Sequence, residues 1–223
     1  MHDLNDKFEI TAHLRESFIE AGHCVVRGLA SAEEIAHYKP AIDEATMQRR
    51  WDKRPLQERD TYGKAFIYAR RFARVAAQLM GCQGVRLYHD QSLYKEPGGG
   101  FTPWHQDQVY WPLETNQTVT MWMPLVDVPN EIGGMVFADG TSHQGNLGEE
   151  VIGDASQSYF DTLVEERKLN LSTHGPFVVG DATFHTGWTL HSAPANTTST
   201  MRSVIHHLLR GWHTRRRDKP PCP

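Results

Sequence analysis

Residues 85–95 read VRLYHDQSLYK, and from here on the apolar period of the chain changes from 3.6 to 2. Side chains alternate along a strand, so Val85, Leu87, His89, Gln91, Leu93 and Lys95 are expected on one face. TVTMWMPLVDV (118–128) likewise sets Val119, Met121, Met123 and Leu125 against Thr118, Thr120 and Trp122. GMVFA (134–138), PFVVGDATF (176–184) and TMRSVI (200–205) read as three more short strands. Turn-rich stretches such as EPGGG, EIGG and ADGTSHQG separate them.

Upstream the pattern is helical. Thr11 can cap TAHLRESFIEAG (11–22), with Leu14 and Phe18 four apart and Gly22 as the stop. HCVVRGL (23–29) reads as a strand. Ser31 and Glu34 then have capping-box spacing ahead of the stripe Ile35, Tyr38 and Ile42, which Pro40 is expected to kink or split. Arg49–Arg59 is polar and reads as exposed, and ARRFARVAAQLMG (69–81) places Phe72, Val75, Ala76 and Leu79 on one helical side. The expectation is a mainly β fold with flanking helices (α+β), a sandwich or jelly roll in one domain. Residues 1–82 are its helical preface, 83–205 its core and 206–223 a C-terminal segment.

A length of 223 residues suits one domain, and 39% hydrophobic residues suffice for a core. With 23 basic against 27 acidic residues the net charge is −4, which gives no footprint for nucleic acid or an anionic membrane. No apolar run reaches the roughly 18 residues of a span, and MHDLNDKFEI lacks a signal-peptide pattern, so a cytoplasmic protein acting on a small molecule is expected. Cys24, Cys82 and Cys222 are far apart and form no C-x-x-C pair, which argues against disulfides and thiolate zinc. The Arg215–Arg217 cluster in the C-terminal tail reads as solvated. Nothing in the sequence sets the oligomeric state.

Thirteen histidines direct attention to metal and acid–base chemistry. In TPWHQDQVYW (102–111), His105 and Asp107 flank Gln106; on a strand they would project to one face about 7 Å apart and converge on one ion, with Gln106 pointing away. Such an H-x-D pair with a distant histidine makes the 2-His-1-carboxylate face of non-haem Fe(II) oxygenases, and His191 in WTLHSAPANTTSTMR is the candidate third ligand. Arg202, across the turn ANTTST, would need an anionic partner if enclosed. A dicarboxylate that chelates the metal at one end and meets the guanidinium at the other describes 2-oxoglutarate.

These residues resemble the phytanoyl-CoA dioxygenase family of Fe(II)/2-oxoglutarate oxygenases. The resemblance runs from about Leu93 to Arg202, through KEPGGGFTPWHQD, TVTMWMPLVDVPNEIGGMVFADGTSH and GDATFHTGWTLHSAPANTTSTMR. It implies a double-stranded β-helix (cupin-like), with His105, Asp107 and His191 holding iron and Arg202 anchoring 2-oxoglutarate. It also implies that Thr120 helps hold the cosubstrate. Trp111 matches a position that packs on substrate in the ectoine hydroxylase branch, with core packing as the alternative. By the same resemblance Gln91 and Lys95 are substrate-pocket polar groups, while Trp104 and Trp122 are taken as pocket walls. His185 and His143 are assigned to support, and the intact Asp107 disfavours halogenation. One departure stands out: after Ile205, HHLLRGW does not read as the extended strand that the family would lead one to expect.

The reading is an Fe(II)/2-oxoglutarate oxygenase that uses O2, releases succinate and CO2, and oxidises a small molecule of antibiotic type. Hydroxylation is the default, with stereoinversion, cyclisation and desaturation open. Two alternatives are a metal-dependent cupin-type isomerase or hydrolase without 2-oxoglutarate, and a non-catalytic jelly-roll binding protein.

Overall fold

The computed structural model describes residues 4–48 and 61–212; the basic stretch 49–59, the Arg215–Arg217 cluster and Cys222 lie outside them. Thr11 accepts a hydrogen bond from the Leu14 N–H at 3.1 Å and starts α1 (Ala12–Ala21), which Gly22 ends in the left-handed region. In α2 (Ala32–Gln48) the capping box forms as read: the Glu34 N–H reaches Ser31 Oγ at 3.1 Å and the Ser31 N–H reaches Glu34 Oε2 at 2.8 Å. Pro40 lies inside α2 and does not split it, because Ile35 and Tyr38 before it and Ile42 and Ala45 after it are all buried in one core. A short α3 (Thr61–Ile67) follows, then α4 (Arg70–Met80), whose Phe72, Val75, Ala76 and Leu79 are buried as expected. Within the described residues no helix is long and apolar enough to cross a membrane.

Nine strands among the described residues form two antiparallel sheets. They are β1 (His23–Val26), β2 (Gly84–Lys95), β3 (Thr102–His105), β4 (Thr118–Pro124), β5 (Val136–Ala138), β6 (Leu171–Thr173), β7 (Ala182–Thr186), β8 (His191–Ala193) and β9 (Arg202–Trp212). The larger sheet has the order β1-β7-β4-β9-β2 and the smaller β3-β8-β5-β6. Two facing antiparallel sheets with helices outside are the jelly roll that the sequence predicts.

The helices cover the outer face of the larger sheet. Val119, Met121 and Met123 of β4 and Ile205 and Leu209 of β9 share a core with Phe66, Phe72, Val75 and Leu79. The alternate positions Trp122 and Val204 belong to a second cluster between the sheets. A further helix, α5 (Asp154–Arg167), packs Phe160 and Leu163 on the other side of the smaller sheet; its sparse apolar positions gave no helical signal in the sequence analysis.

Two sequence expectations need correction. β9 continues without a break in pairing through His206 and His207 to Trp212, so the core strand does not stop at Ile205. The strand was hard to read because both histidines are buried: His207 packs among the helices near Phe66 and Phe72, while His206 faces inward. The six residues placed on one face of β2 also divide. Leu87 pairs with Leu209 but His89 pairs with Leu208, a bulge that spends one extra residue, Tyr88. Val85 and Leu87 therefore pack against the helical core, whereas Gln91, Leu93 and Lys95 stand opposite His206, Val204 and Arg202 on the interior face.

Deleting Tyr88, which has no ladder partner, should leave Leu87 opposite Leu209 and His89 opposite Leu208, whereas deleting Ser92, which pairs with Ile205, should turn Val85 and Leu87 to the wrong face and cost about 2 kcal/mol or more. Tyr88→Ala, which keeps the residue count, should stay within about 1 kcal/mol of the parent in urea unfolding. Equal losses on deleting Tyr88 and on deleting Ser92 would refute the bulge.

Candidate metal centre and adjoining cavity

His105 ends β3, and Asp107 opens a 3-10 turn (Asp107–Tyr110). Gln106 between them points away and is itself a clamp: its Nδ-equivalent amide nitrogen, Nε2, donates to the carbonyls of Gly145 (2.9 Å) and Trp188 (2.6 Å), and its Oε1 accepts from the Leu147 N–H (2.8 Å). His191 begins β8 directly opposite His105 in the ladder, which brings the two rings to 4.2 Å between centroids. One ligand atom from each of His105, Asp107 and His191 lies within 4.8 Å of the others.

Hydrogen bonding decides what these atoms present. His105 Nδ1 donates to the Pro103 carbonyl (2.8 Å) and His191 Nδ1 to the Thr189 carbonyl (2.9 Å). A carbonyl only accepts, so the neutral rings carry their proton on Nδ1 and turn an Nε2 lone pair towards Asp107. Those Nε2 atoms stand 3.6 and 3.8 Å from Asp107 Oδ1, too far for a hydrogen bond. Burial first, then His105 and His185, hold His191 well below the usual imidazole range. Burial favours neutral Asp107, but His191, the hydrogen-bonding His185 and the nearby His206 outweigh it and hold the carboxyl well below its ordinary value. An ionised oxygen and two lone pairs face one another with no donor between them, and a divalent cation satisfies all three.

The other carboxylate oxygen is engaged differently. Thr120 Oγ donates to Asp107 Oδ2 at 2.6 Å, His185 Nε2 lies 3.2 Å away and His206 Nε2 3.6 Å. Thr120 thus meets the carboxylate, and its proton is committed there. His185 takes the supporting place expected of it. His143 does not approach the cluster; it is exposed and bonds the Ile19 and Glu20 carbonyls at the end of α1.

A cavity of about 60 Å³ runs among His105, His191, His206, Trp122, Leu93 and Arg202. Arg202 is 4% exposed and has no carboxylate partner among the described residues. It donates from Nη1 to the Gly133 carbonyl, its Nε is unsatisfied, and it lies over the Trp122 ring at 5.6 Å. Gly133 suits that approach: its φ is 85°, and a Cβ would come within 2.3 Å of the Pro194 carbonyl oxygen. Burial draws Arg202 down to about 10, which leaves it charged. Lys95, its ladder partner, donates to the Pro194 carbonyl at 2.8 Å; burial and then Arg202 lower it to about 8.

Gln91 stands opposite His206 on the interior face. Trp111 packs against His89 (5.0 Å) and Tyr88 (5.5 Å) beside β2, and Trp122 walls the cavity. Trp104 does not line it. As the neighbour of His105 it points to the opposite face, where Nε1 donates to Asp161 Oδ1 of α5 at 3.0 Å among Leu147, Phe160 and Leu163. His206 is the interior residue that the sequence analysis missed. Its signal was the even spacing from Arg202, usable only once β9 is known to continue.

The sequence pattern of the phytanoyl-CoA dioxygenase family (PhyH) matches residues 18–204. The chain belongs to this family. A "probable alpha-ketoglutarate-dependent hypophosphite dioxygenase" of Stutzerimonas stutzeri is 25% identical over 185 residues, 80% of this chain; the chain spans 63% of that relative's length. The carbocyclase SnoK from nogalamycin biosynthesis, a non-heme alpha ketoglutarate dependent protein, shares the fold at 21% identity and TM-score 0.78, covering 91% of this chain and 85% of its own. The epimerase SnoN, solved with Fe3+, alpha ketoglutarate and nogalamycin RO, is 26% identical at TM-score 0.75, covering 89% and 82%. For this phytanoyl-CoA dioxygenase family member, Trp104→Phe should cost about 1–2 kcal/mol in thermal unfolding and leave metal affinity unchanged. Weaker ligand binding at unchanged stability would return Trp104 to the pocket wall.

Proposed function

We propose that the protein is an Fe(II)/2-oxoglutarate-dependent oxygenase of a small organic substrate. The observation that carries this reading is the pairing of an acceptor-only His105–Asp107–His191 cluster with a buried, carboxylate-free Arg202 along one cavity. His105, Asp107 and His191 would hold the iron. Bound there, Fe(II) supplies O2 activation coupled to decarboxylation of 2-oxoglutarate to succinate and CO2, and so the oxidation of a substrate C–H bond.

The chain's own residues bind, orient and exclude water. Arg202 receives the far carboxylate of the cosubstrate, a charge-assisted contact that satisfies its free Nε. Lys95, opposite it in the ladder, adds a second positive charge, so we assign it to the cosubstrate rather than to the substrate pocket. Leu93, Trp122 and Val204 keep the interior apolar, which strengthens each charged contact. Gln91 and Trp111 are the candidates for contact with the substrate.

For the substrate, the likeness to SnoN in complex with nogalamycin RO supports a specialised-metabolite intermediate of antibiotic type. Hydroxylation, stereoinversion and cyclisation all begin from the same oxidised carbon, and positioning in the pocket selects among them.

Anaerobic addition of Fe(II) and then 2-oxoglutarate should give the weak visible charge-transfer band of a chelated 2-oxo acid. His105→Ala should abolish it, and Arg202→Ala should weaken cosubstrate affinity by about tenfold or more. Full affinity and activity in Arg202→Ala would favour a cupin-type isomerase or hydrolase. Lys95 adds a pH signature. Binding a dianion raises its proton affinity, so 2-oxoglutarate affinity should be full below a pH of about 8 and fall above it. Lys95→Met should bind more weakly at low pH and lose this dependence.

A further inference from the structure

Asp107 divides its two oxygens between two tasks. Oδ1 faces the Nε2 atoms of His105 and His191 at 3.6 and 3.8 Å, whereas Oδ2 receives the Thr120 hydroxyl at 2.6 Å and faces His185 and His206 Nε2 at 3.2 and 3.6 Å. The three groups on Oδ2 come from adjacent strands of the larger sheet. Thr120 on β4 is paired across the ladder with His185 on β7, and His206 on β9 is paired with Trp122, the next inward residue of β4. All three are buried.

The two histidines have no other polar engagement in view: Nδ1 of His185 and Nδ1 of His206 are buried without a hydrogen-bond partner among the described residues. A buried unsatisfied nitrogen costs about 1–3 kcal/mol, and an apolar side chain would fill the same space without that cost. What distinguishes the imidazoles from an apolar filler at these positions is the Nε2 that each turns to Oδ2.

We propose that Thr120, His185 and His206 are positioning residues that hold Asp107 as a one-oxygen ligand, leaving the metal positions needed by the cosubstrate open. The inference rests on the iron/2-oxoglutarate reading above. A carboxylate free to rotate could close on the metal with both oxygens and take a position that a chelating 2-oxo acid requires. An oxygen that already accepts a short hydroxyl bond and an imidazole N–H has its lone pairs directed away from the metal. The device therefore favours cosubstrate binding rather than metal affinity.

The test separates these two quantities, with Co(II) as spectroscopic stand-in for Fe(II) and 2-oxoglutarate as ligand. In Thr120→Val and in His206→Phe, Co(II) affinity should stay within about threefold of the parent or tighten, while 2-oxoglutarate affinity falls about tenfold or more. The Co(II) ligand-field bands before 2-oxoglutarate is added should shift as coordination changes. Thr120→Ser, which keeps the hydroxyl, should restore parental values and guards against a folding defect in the valine variant. Parental 2-oxoglutarate affinity in both Thr120→Val and His206→Phe overturns the proposal. So does a parallel loss of Co(II) and 2-oxoglutarate binding, which marks merely structural residues. If the parent protein binds Co(II) but shows no 2-oxoglutarate response, the oxygenase reading itself has failed.

Discussion

The structure is organised around one buried carboxylate. Asp107 is 6% exposed and ionised, and removing such a group from water costs on the order of several kcal/mol even after the surroundings relax. No arginine or lysine contacts it among the described ion pairs; its neighbours are the imidazoles of His105, His185, His191 and His206 and one hydroxyl. The groups that stabilise the charge, Thr120 and His185 with His206 nearby, lie on the larger sheet, whereas Asp107 follows β3 of the smaller one, so the charge is relieved only when the two sheets close on each other. Folding and assembly of the site are therefore one event.

Alternation along β4 and β9 lets one strand serve two environments. Outward residues of both strands bind the helical layer, while inward ones carry Thr120, Trp122, Arg202 and His206. By burying Met121, Ile205 and Leu209 the helical layer holds the inward side chains in register. The bulge at Tyr88 extends the same logic to the edge strand, giving it an outward-packing start and an inward-facing end.

Much of this was legible in the sequence because it is written in periodicity and spacing. The capping box of α2, the apolar stripe of α4 and the alternation of β4 all translate directly. The H-x-D pair and His191 converge because a strand end followed by a tight turn still brings residues i and i+2 together. The failures have separate causes. Hydrophobic pattern cannot register a buried polar residue, so β9 seemed to end where His206 and His207 begin. Trp104 was read by proximity in sequence, but its neighbour His105 already occupied the inward face, and alternation sent the indole to α5. The extra residue in β2 leaves no mark in composition, yet it decides the facing of everything before it.

Charge completes the argument. His105 and His191, which flank Asp107, line one cavity with Arg202, and Lys95 stands across the ladder from Arg202 with no carboxylate pairing either cation among the described residues. A protein interior does not hold two like charges together without cost, and burial first, then Arg202, lowers the Lys95 proton affinity. A ligand that relieves both ends must carry metal-binding oxygens at one terminus and a carboxylate at the other. A small compact anion would reach the proposed metal site but leave Arg202 and Lys95 unmatched, which is why the proposed cosubstrate is an extended dianion.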